Sequence, residues 1–137
     1  TFEELMGMFV AKEIEPAEIE VDGKIKDASV TGRGYAVGGG VAQAVKERIH
    51  EINPDMDVKV ECIEGLGECV KVMRLAKLGM KNGLLLEGMA CKNGCVGGPG
   101  TVVSAARSRK SVATFSKESP YKSPADNKNI DPEDMPK

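Results

Sequence analysis

Val58-Lys59-Val60-Glu61-Cys62 and Leu84-Leu85-Leu86 bracket a stretch in which Cys69, Val72, Met73, Ala76 and Met80 recur at helical spacing. The first run alternates apolar and charged residues, as a half-buried strand does. The second is wholly apolar and suits a buried strand. Strand, helix and strand over residues 57–87 make a β-α-β unit. A crossover of that kind predicts two parallel strands, adjacent or nearly so. The expected class is α/β, with a small, partly parallel sheet flanked by helices.

Upstream, Thr1-Phe2-Glu3-Glu4 reads as a capping box. It opens a helix with Phe2, Leu5, Met6, Phe9 and Val10 at helical spacing, which Glu15-Pro16 stops. Short strand candidates, 18–21 and 24–30, surround the turn Asp22-Gly23. A glycine-rich turn, Gly32-Arg33-Gly34-Tyr35-Ala36-Val37-Gly38-Gly39-Gly40, precedes a second helix marked by Val41, Ala44, Val45, Ile49 and Ile52. His50, near the end of that helix, complements its dipole. The turn does not have the spacing of a dinucleotide fingerprint, and no Gly-Lys-Ser/Thr follows to make a P-loop. It reads either as close packing or as one wall of a ligand site.

Downstream of the β-α-β unit comes the loop Glu87-Gly88-Met89-Ala90-Cys91-Lys92-Asn93-Gly94-Cys95-Val96-Gly97-Gly98-Pro99-Gly100. It lies at the carboxyl end of a parallel strand, where α/β sheets usually place ligands. A further helix is expected from about Thr101. From Ser108 to Lys137 the composition turns to Lys, Ser, Pro, Asp and Asn. This predicts an extended or disordered tail. The chain thus divides into a folded lobe, 1–107, and a polar tail, 108–137.

The chain has 137 residues and a formal net charge of -2, which argues against a nucleic-acid or membrane-surface protein. No apolar run approaches the roughly 20 residues of a membrane span. Its first residues carry no basic-plus-apolar signal, so a cytoplasmic protein with reduced thiols is expected. The opening at Thr1 reads as a piece of a longer polypeptide. A chain of this size is expected to bury roughly two-thirds of its unfolded surface. Aromatic residues make up only 4%, with no Trp, so the core is expected to be aliphatic and rich in Met.

The four cysteines are Cys62, Cys69, Cys91 and Cys95. Cys91 and Cys95 lie four residues apart in the glycine-rich loop, so two thiols can serve one site. The surrounding glycines let backbone approach a ligand and turn N–H groups toward it. Together with a helix N-terminus near Thr101, they favour an anionic ligand such as a thiolate-bound iron–sulfur cluster. By spacing alone, a metal or cluster site, a redox pair and inert buried thiols all remain open. Cys62-x6-Cys69 is too wide for a zinc knuckle, and the two read as small buried hydrophobes. Glu87, on an otherwise apolar strand, must be paired or solvated. It is placed to orient backbone N–H groups or to relay protons.

The segment Glu87 to Gly98 resembles the third signature of the iron-only hydrogenases, E-x-M-x-C-x-x-x-C-x-x-G. Tyr35-Ala36-Val37-Gly38-Gly39-Gly40-Val41 is similar to the family's glycine-rich turn, and residues 1–10 to the helix opening the last part of its catalytic domain. The resemblance covers roughly residues 1–107 and identifies a C-terminal segment of the hydrogenase large subunit. It implies that Cys91 binds a 4Fe-4S cubane and that Cys95 bridges cubane and diiron subsite, the two together forming the H-cluster. Met89, Tyr35, Ala36 and Val41 would line the diiron pocket, with Glu87 behind them.

The remaining cubane ligands come, in the family, from two earlier signatures resembling T-S-C-C-P and M-P-C, and neither occurs here. The resemblance therefore implies reversible conversion of two protons and two electrons to hydrogen by the full-length parent. The segment alone is expected to be inactive and without its cluster. Its implied partners are the N-terminal remainder of the same chain and a ferredoxin-type electron carrier, with a homodimer of the isolated segment expected. Gly97-Gly98-Pro99-Gly100 and Tyr35 depart from the usual pattern and suggest a divergent, monomeric or sensory branch. Two other readings stand beside this one. One is a hydrogenase-like iron–sulfur assembly or nuclear-factor-type protein without hydrogenase activity, and the other is a stand-alone metal-binding scaffold.

Overall fold

The structure, a computed structural model, describes residues 1–20 and 27–128. Helix α1 spans Phe2–Ala11, with the Thr1 hydroxyl accepting from the Glu4 N–H in a capping box. After a 3-10 turn at Pro16–Glu18 comes a short helix α2, Val30–Arg33. Helix α3 follows at Gly40–Ile52. The β-α-β unit consists of β1 (Lys59–Glu64), α4 (Leu66–Lys77) and β2 (Leu84–Met89). Helix α5, Ala105–Lys117, closes the order before a 3-10 turn at Pro124–Asp126.

β1 and β2 pair in parallel, with Lys59 opposite Leu84, Cys62 opposite Glu87 and Glu64 opposite Met89. The expected α/β class and the Cys loop at the carboxyl end of a strand are both present. Helices α3 and α4 each contact both strands. Glu87 faces α3, where it meets the Ala42 N–H. Gly88 faces α4: a Cβ added there would stand 3.3 Å from the Cys69 sulfur.

Several expectations need correction. Ile63, not its neighbour Cys62, is the buried residue of β1. A two-stranded sheet between two helices has no single inner face, so simple alternation misassigns the phase. Among the described residues the buried hydrophobic side chains are Ala42, Ala44, Ile63 and Val96, and no Met is among them. Met73 and Met80 are 65% and 67% exposed. The solvent-accessible surface is 10598 Å². A compact monomer of this mass exposes about 6,900 Å². The chain therefore buries about half of its unfolded surface rather than two-thirds.

The strand candidates fail where they are described. Glu18 lies in a 3-10 turn and Val30 begins a helix. The Ser29 hydroxyl accepts from the Gly32 N–H at 3.1 Å, which makes residue 29 a helix cap instead of a strand member. Residues 21–26 of those candidates lie outside the described residues.

Helix α5 starts at Ala105, past Pro99-Gly100, and not near Thr101. It continues to Lys117, so residues 108–117 are helical rather than extended. Phe115 anchors this turn: the Arg33 guanidinium sits 4.3 Å from its ring centroid and donates to its carbonyl at 2.9 Å. The chain then returns along residues 27–30. The Val30 N–H donates to Tyr121 O at 2.8 Å, Ser119 Oγ to Ala28 O at 2.7 Å, and Asn127 Nδ2 to Asp27 O at 2.9 Å. Residues 129–137 of the expected tail lie outside the described residues.

Candidate functional site

Two glycine-rich segments meet at the carboxyl end of β2. Val37 and Gly94 form an antiparallel bridge. The Gly38 N–H donates to Asn93 O at 3.3 Å, and the Val96 N–H donates to Ala36 O at 3.2 Å. The turn before α3 and the cysteine loop after β2 are therefore paired backbone to backbone. Gly94 permits that approach. A Cβ there would stand 2.6 Å from Gly38 N and 2.9 Å from both Ala36 O and the Met89 sulfur, and φ is +77°.

Glu87 ties the same turn to the sheet. Its Oε1 accepts the Gly39 N–H at 3.2 Å and its Oε2 the Ala42 N–H at 3.0 Å. The carboxylate is buried. Gly39 is the N-cap of α3 and has no side chain with which to cap it. Its N–H and that of Ala42, three residues on, are the pair that a capping box satisfies. Here a carboxylate from a neighbouring strand satisfies both. Of the two expectations for Glu87, paired or solvated, the geometry shows pairing, with backbone N–H groups as the partners.

All four cysteines are free thiols. Cys69 is half-buried and donates to Met89 O at 3.6 Å. Cys62 is exposed rather than buried, and its thiol donates to Glu87 Oε2 at 3.8 Å. Partial burial of the sulfur, then the Glu87 charge and this hydrogen bond, push the Cys62 thiol above its ordinary range. Cys62 and Cys69 are thus engaged with acceptors within the β-α-β unit.

Cys95 is exposed and Cys91 half-buried, its sulfur 3.6 Å from where a Cβ on Gly98 would stand. Cys95 lines a cavity of about 560 Å³ with Phe2 of α1, Ala36, Val96, Val102 and Arg107 of α5. Met89 and Val41 line a second cavity, of about 290 Å³, with Ala42, Leu85 and Glu87. The structure therefore brings Ala36 and Cys95 together and Met89 and Val41 together. Cys91 and Tyr35 line neither cavity. The division follows the chain, since Ala36 precedes the bridge at Val37 and Val41 follows it.

The expected cradle of N–H groups is largely consumed within the loop. The N–H groups of Gly94, Gly97, Gly98 and Thr101 donate to Cys91 O, Gly94 O, Cys95 O and Gly98 O. The helix N-terminus is also displaced to Ser104–Ala105. Among the described residues no group of three or more His, Cys, Asp or Glu side chains is placed to hold a metal ion. No described helix is long and apolar enough to cross a membrane.

The contribution of α5 escapes sequence reasoning in part, because Ser108 and Ser111, which also line the larger cavity, lie in the polar segment where no site is expected. The Glu87 contact has a sequence signal that only pairing reveals. A helix opening on Gly39 lacks a cap, and a carboxylate on an apolar strand lacks a partner. No curated protein matches this chain. A family model, that of the C-terminal domain of the iron-only hydrogenase large subunit, matches residues 1–99 of the 137. On that match the chain belongs to the C-terminal domain family of the iron-only hydrogenase large subunit.

Proposed function

We propose that this chain supplies Cys91 and Cys95 as two thiolate ligands of an iron–sulfur cluster within an iron-only hydrogenase. The observation that carries the reading is the contrast among its four thiols. Cys62 and Cys69 donate to acceptors within the β-α-β unit, whereas Cys91 and Cys95 sit in a glycine-rich loop, with Cys95 opening into the larger cavity. A 4Fe-4S cluster commonly takes four thiolates. The donor set fits half of such a site, and the family's earlier signatures would furnish the other half. When bound, the H-cluster would supply the redox chemistry that joins two protons and two electrons into hydrogen.

The chain's own residues hold, shape and shield. Cys91 and Cys95 would ligate the cluster. Ala36 and Val96 form an apolar wall beside Cys95, and Met89 and Val41 a second wall on the far side of the turn. Apolar walls keep water from a site and lower its dielectric. Tyr35, 45% exposed, stands at the turn's outer side. Phe2, Leu5, Met6 and Val10 of α1 are all at least 42% exposed. An apolar helix face of that kind suits coverage by another part of the same large subunit. The N-terminal remainder of the catalytic domain is the partner we assign to it, and a ferredoxin-type protein the electron carrier.

Thiol footprinting tests the ligand assignment. The 137-residue chain is incubated anaerobically with ferrous iron and sulfide, plus excess small thiol to occupy the remaining ligand positions. Cys91 and Cys95 become protected together from alkylation, while Cys62 and Cys69 keep their rates. Without the small thiol, a chelator strips the iron. Protection of Cys62 or Cys69 in place of the loop pair would overturn the reading.

A further inference from the structure

We propose that Glu87 is the positioning residue of the cysteine loop, acting through the glycine-rich turn and not through contact with a ligand. Its side chain closes a ring of chain. From Glu87 the backbone runs through Met89, Cys91 and Cys95 to Val96. The Val96 N–H and the Asn93 carbonyl then bind the turn at Ala36 and Gly38. The turn leads to Gly39 and Ala42, whose N–H groups return to the two oxygens of Glu87. Both candidate ligands lie on one arm of this ring.

Among the described residues, the backbone ties between the turn and the loop are two hydrogen bonds of 3.2 and 3.3 Å at one isolated bridge. The two Glu87 bonds, at 3.2 and 3.0 Å, are of similar length, but their acceptor is a single buried carboxylate, a stronger acceptor than a neutral carbonyl. Gly39 cannot substitute for it, because it has no side chain. Opening the ring at Glu87 leaves α3 uncapped and the turn free to move away from β2. The loop bearing Cys91 and Cys95 then loses its registration against the sheet. This inference stands on contacts within the chain and holds whether or not a cluster binds.

The test uses the whole 137-residue chain, with Glu87→Met as the apolar replacement and Glu87→Gln as the conservative one. Ile63→Val, on the opposite face of the sheet, serves as a general destabilisation control. Alkylation rates of Cys91 and Cys69 are followed by mass spectrometry, and the amide resonances of Gly39 and Ala42 by NMR. In Glu87→Met the Cys91 rate rises about tenfold while that of Cys69 holds. Glu87→Gln, which keeps one acceptor oxygen, restores part of the protection. The Gly39 and Ala42 amide resonances shift in both Glu87 variants and stay in place in Ile63→Val. An unchanged Cys91 rate in Glu87→Met overturns the proposal. So does an equal rise at Cys69, an equal rise in Ile63→Val, or a Gln variant no better than Met.

Discussion

Replacing Gly94 with Ala strikes the point where the two glycine-rich segments touch. Gly94 has φ +77° and ψ -159°, a region open essentially to glycine alone. Forcing Ala into it costs about 1–2 kcal/mol in backbone strain. The new Cβ would also stand 2.6 Å from Gly38 N and 2.9 Å from Ala36 O, both backbone atoms that cannot rotate aside. The segments must part, and the bonds Gly38 N–H to Asn93 O and Val96 N–H to Ala36 O go with them. Each contributes about 1 kcal/mol. The sum is a loss of about 3 kcal/mol, or about 10 °C in Tm for a chain of this length. Urea unfolding followed by far-UV circular dichroism measures it, since the chain has no Trp to report by fluorescence. Gly7→Ala is the contrast, because its Cβ meets nothing within 4 Å on α1. That change is expected to stabilise by up to about 1 kcal/mol. A Gly94→Ala loss below about 0.5 kcal/mol, the range of an ordinary surface substitution, would refute the paired-loop geometry.

Four other outcomes follow from the contacts. Cys62 alkylates more slowly near neutral pH than an unhindered thiol, and Glu87→Gln speeds it by removing the charge that disfavours the thiolate, as competition with iodoacetamide would show. Because folding raises that thiol's pKa, its contribution to stability is full below the unfolded thiol value. The contribution is lost as pH climbs through the folded one, visible as a falling urea midpoint on the alkaline side. Glu51 behaves oppositely. Its bond from Arg48, then that from Ser123, lowers its carboxyl pKa, so its contribution is present above the ordinary glutamate value and lost as pH falls through the folded one. Protection factors at residues 121–125, corrected for the intrinsic pH dependence of exchange, should fall in that acid window, and Ser123→Ala should weaken the dependence. Asn127→Ala removes a 97% buried amide that donates to Asp27 O and is expected to destabilise by about 1–2 kcal/mol in the same urea assay.

Local signals carried much of the architecture. The capping box at Thr1, the alternation from Val58, the helical spacing from Cys69 to Met80 and the apolar run at Leu84 each depend on neighbours within a few residues. The elements they predict are present at 2–11, 59–64, 66–77 and 84–89, although the third ends at Lys77 and leaves Met80 outside the helix. The misreadings have two sources. Ser29 caps a helix through the nearby Gly32 N–H where a strand is expected, which is a local signal read the wrong way, whereas Arg33 stacks on Phe115 eighty-two residues away to hold a helix in a polar segment. Burial was overestimated for a related reason. Helical spacing shows that α1 has an apolar stripe, yet nothing in Phe2 to Val10 says whether another surface covers it.

At the site, the residue types of the cysteine loop are legible because thiols at short spacing among glycines have few purposes. The destination of each thiol is not. Cys62 reads as buried from its strand phase, but with α3 and α4 on opposite faces of only two strands it stays exposed beside Glu87. Glu87 itself is legible as an anomaly, while its partners at Gly39 and Ala42 emerge only with the register of β2 against α3.

The most direct measurement is the iron and sulfide content of the anaerobically reconstituted chain, thiol-supplemented and desalted, in two double variants. The account predicts that Cys62→Ser with Cys69→Ser retains the parent's iron and sulfide, and that Cys91→Ser with Cys95→Ser retains essentially none. Equal retention in both would contradict it.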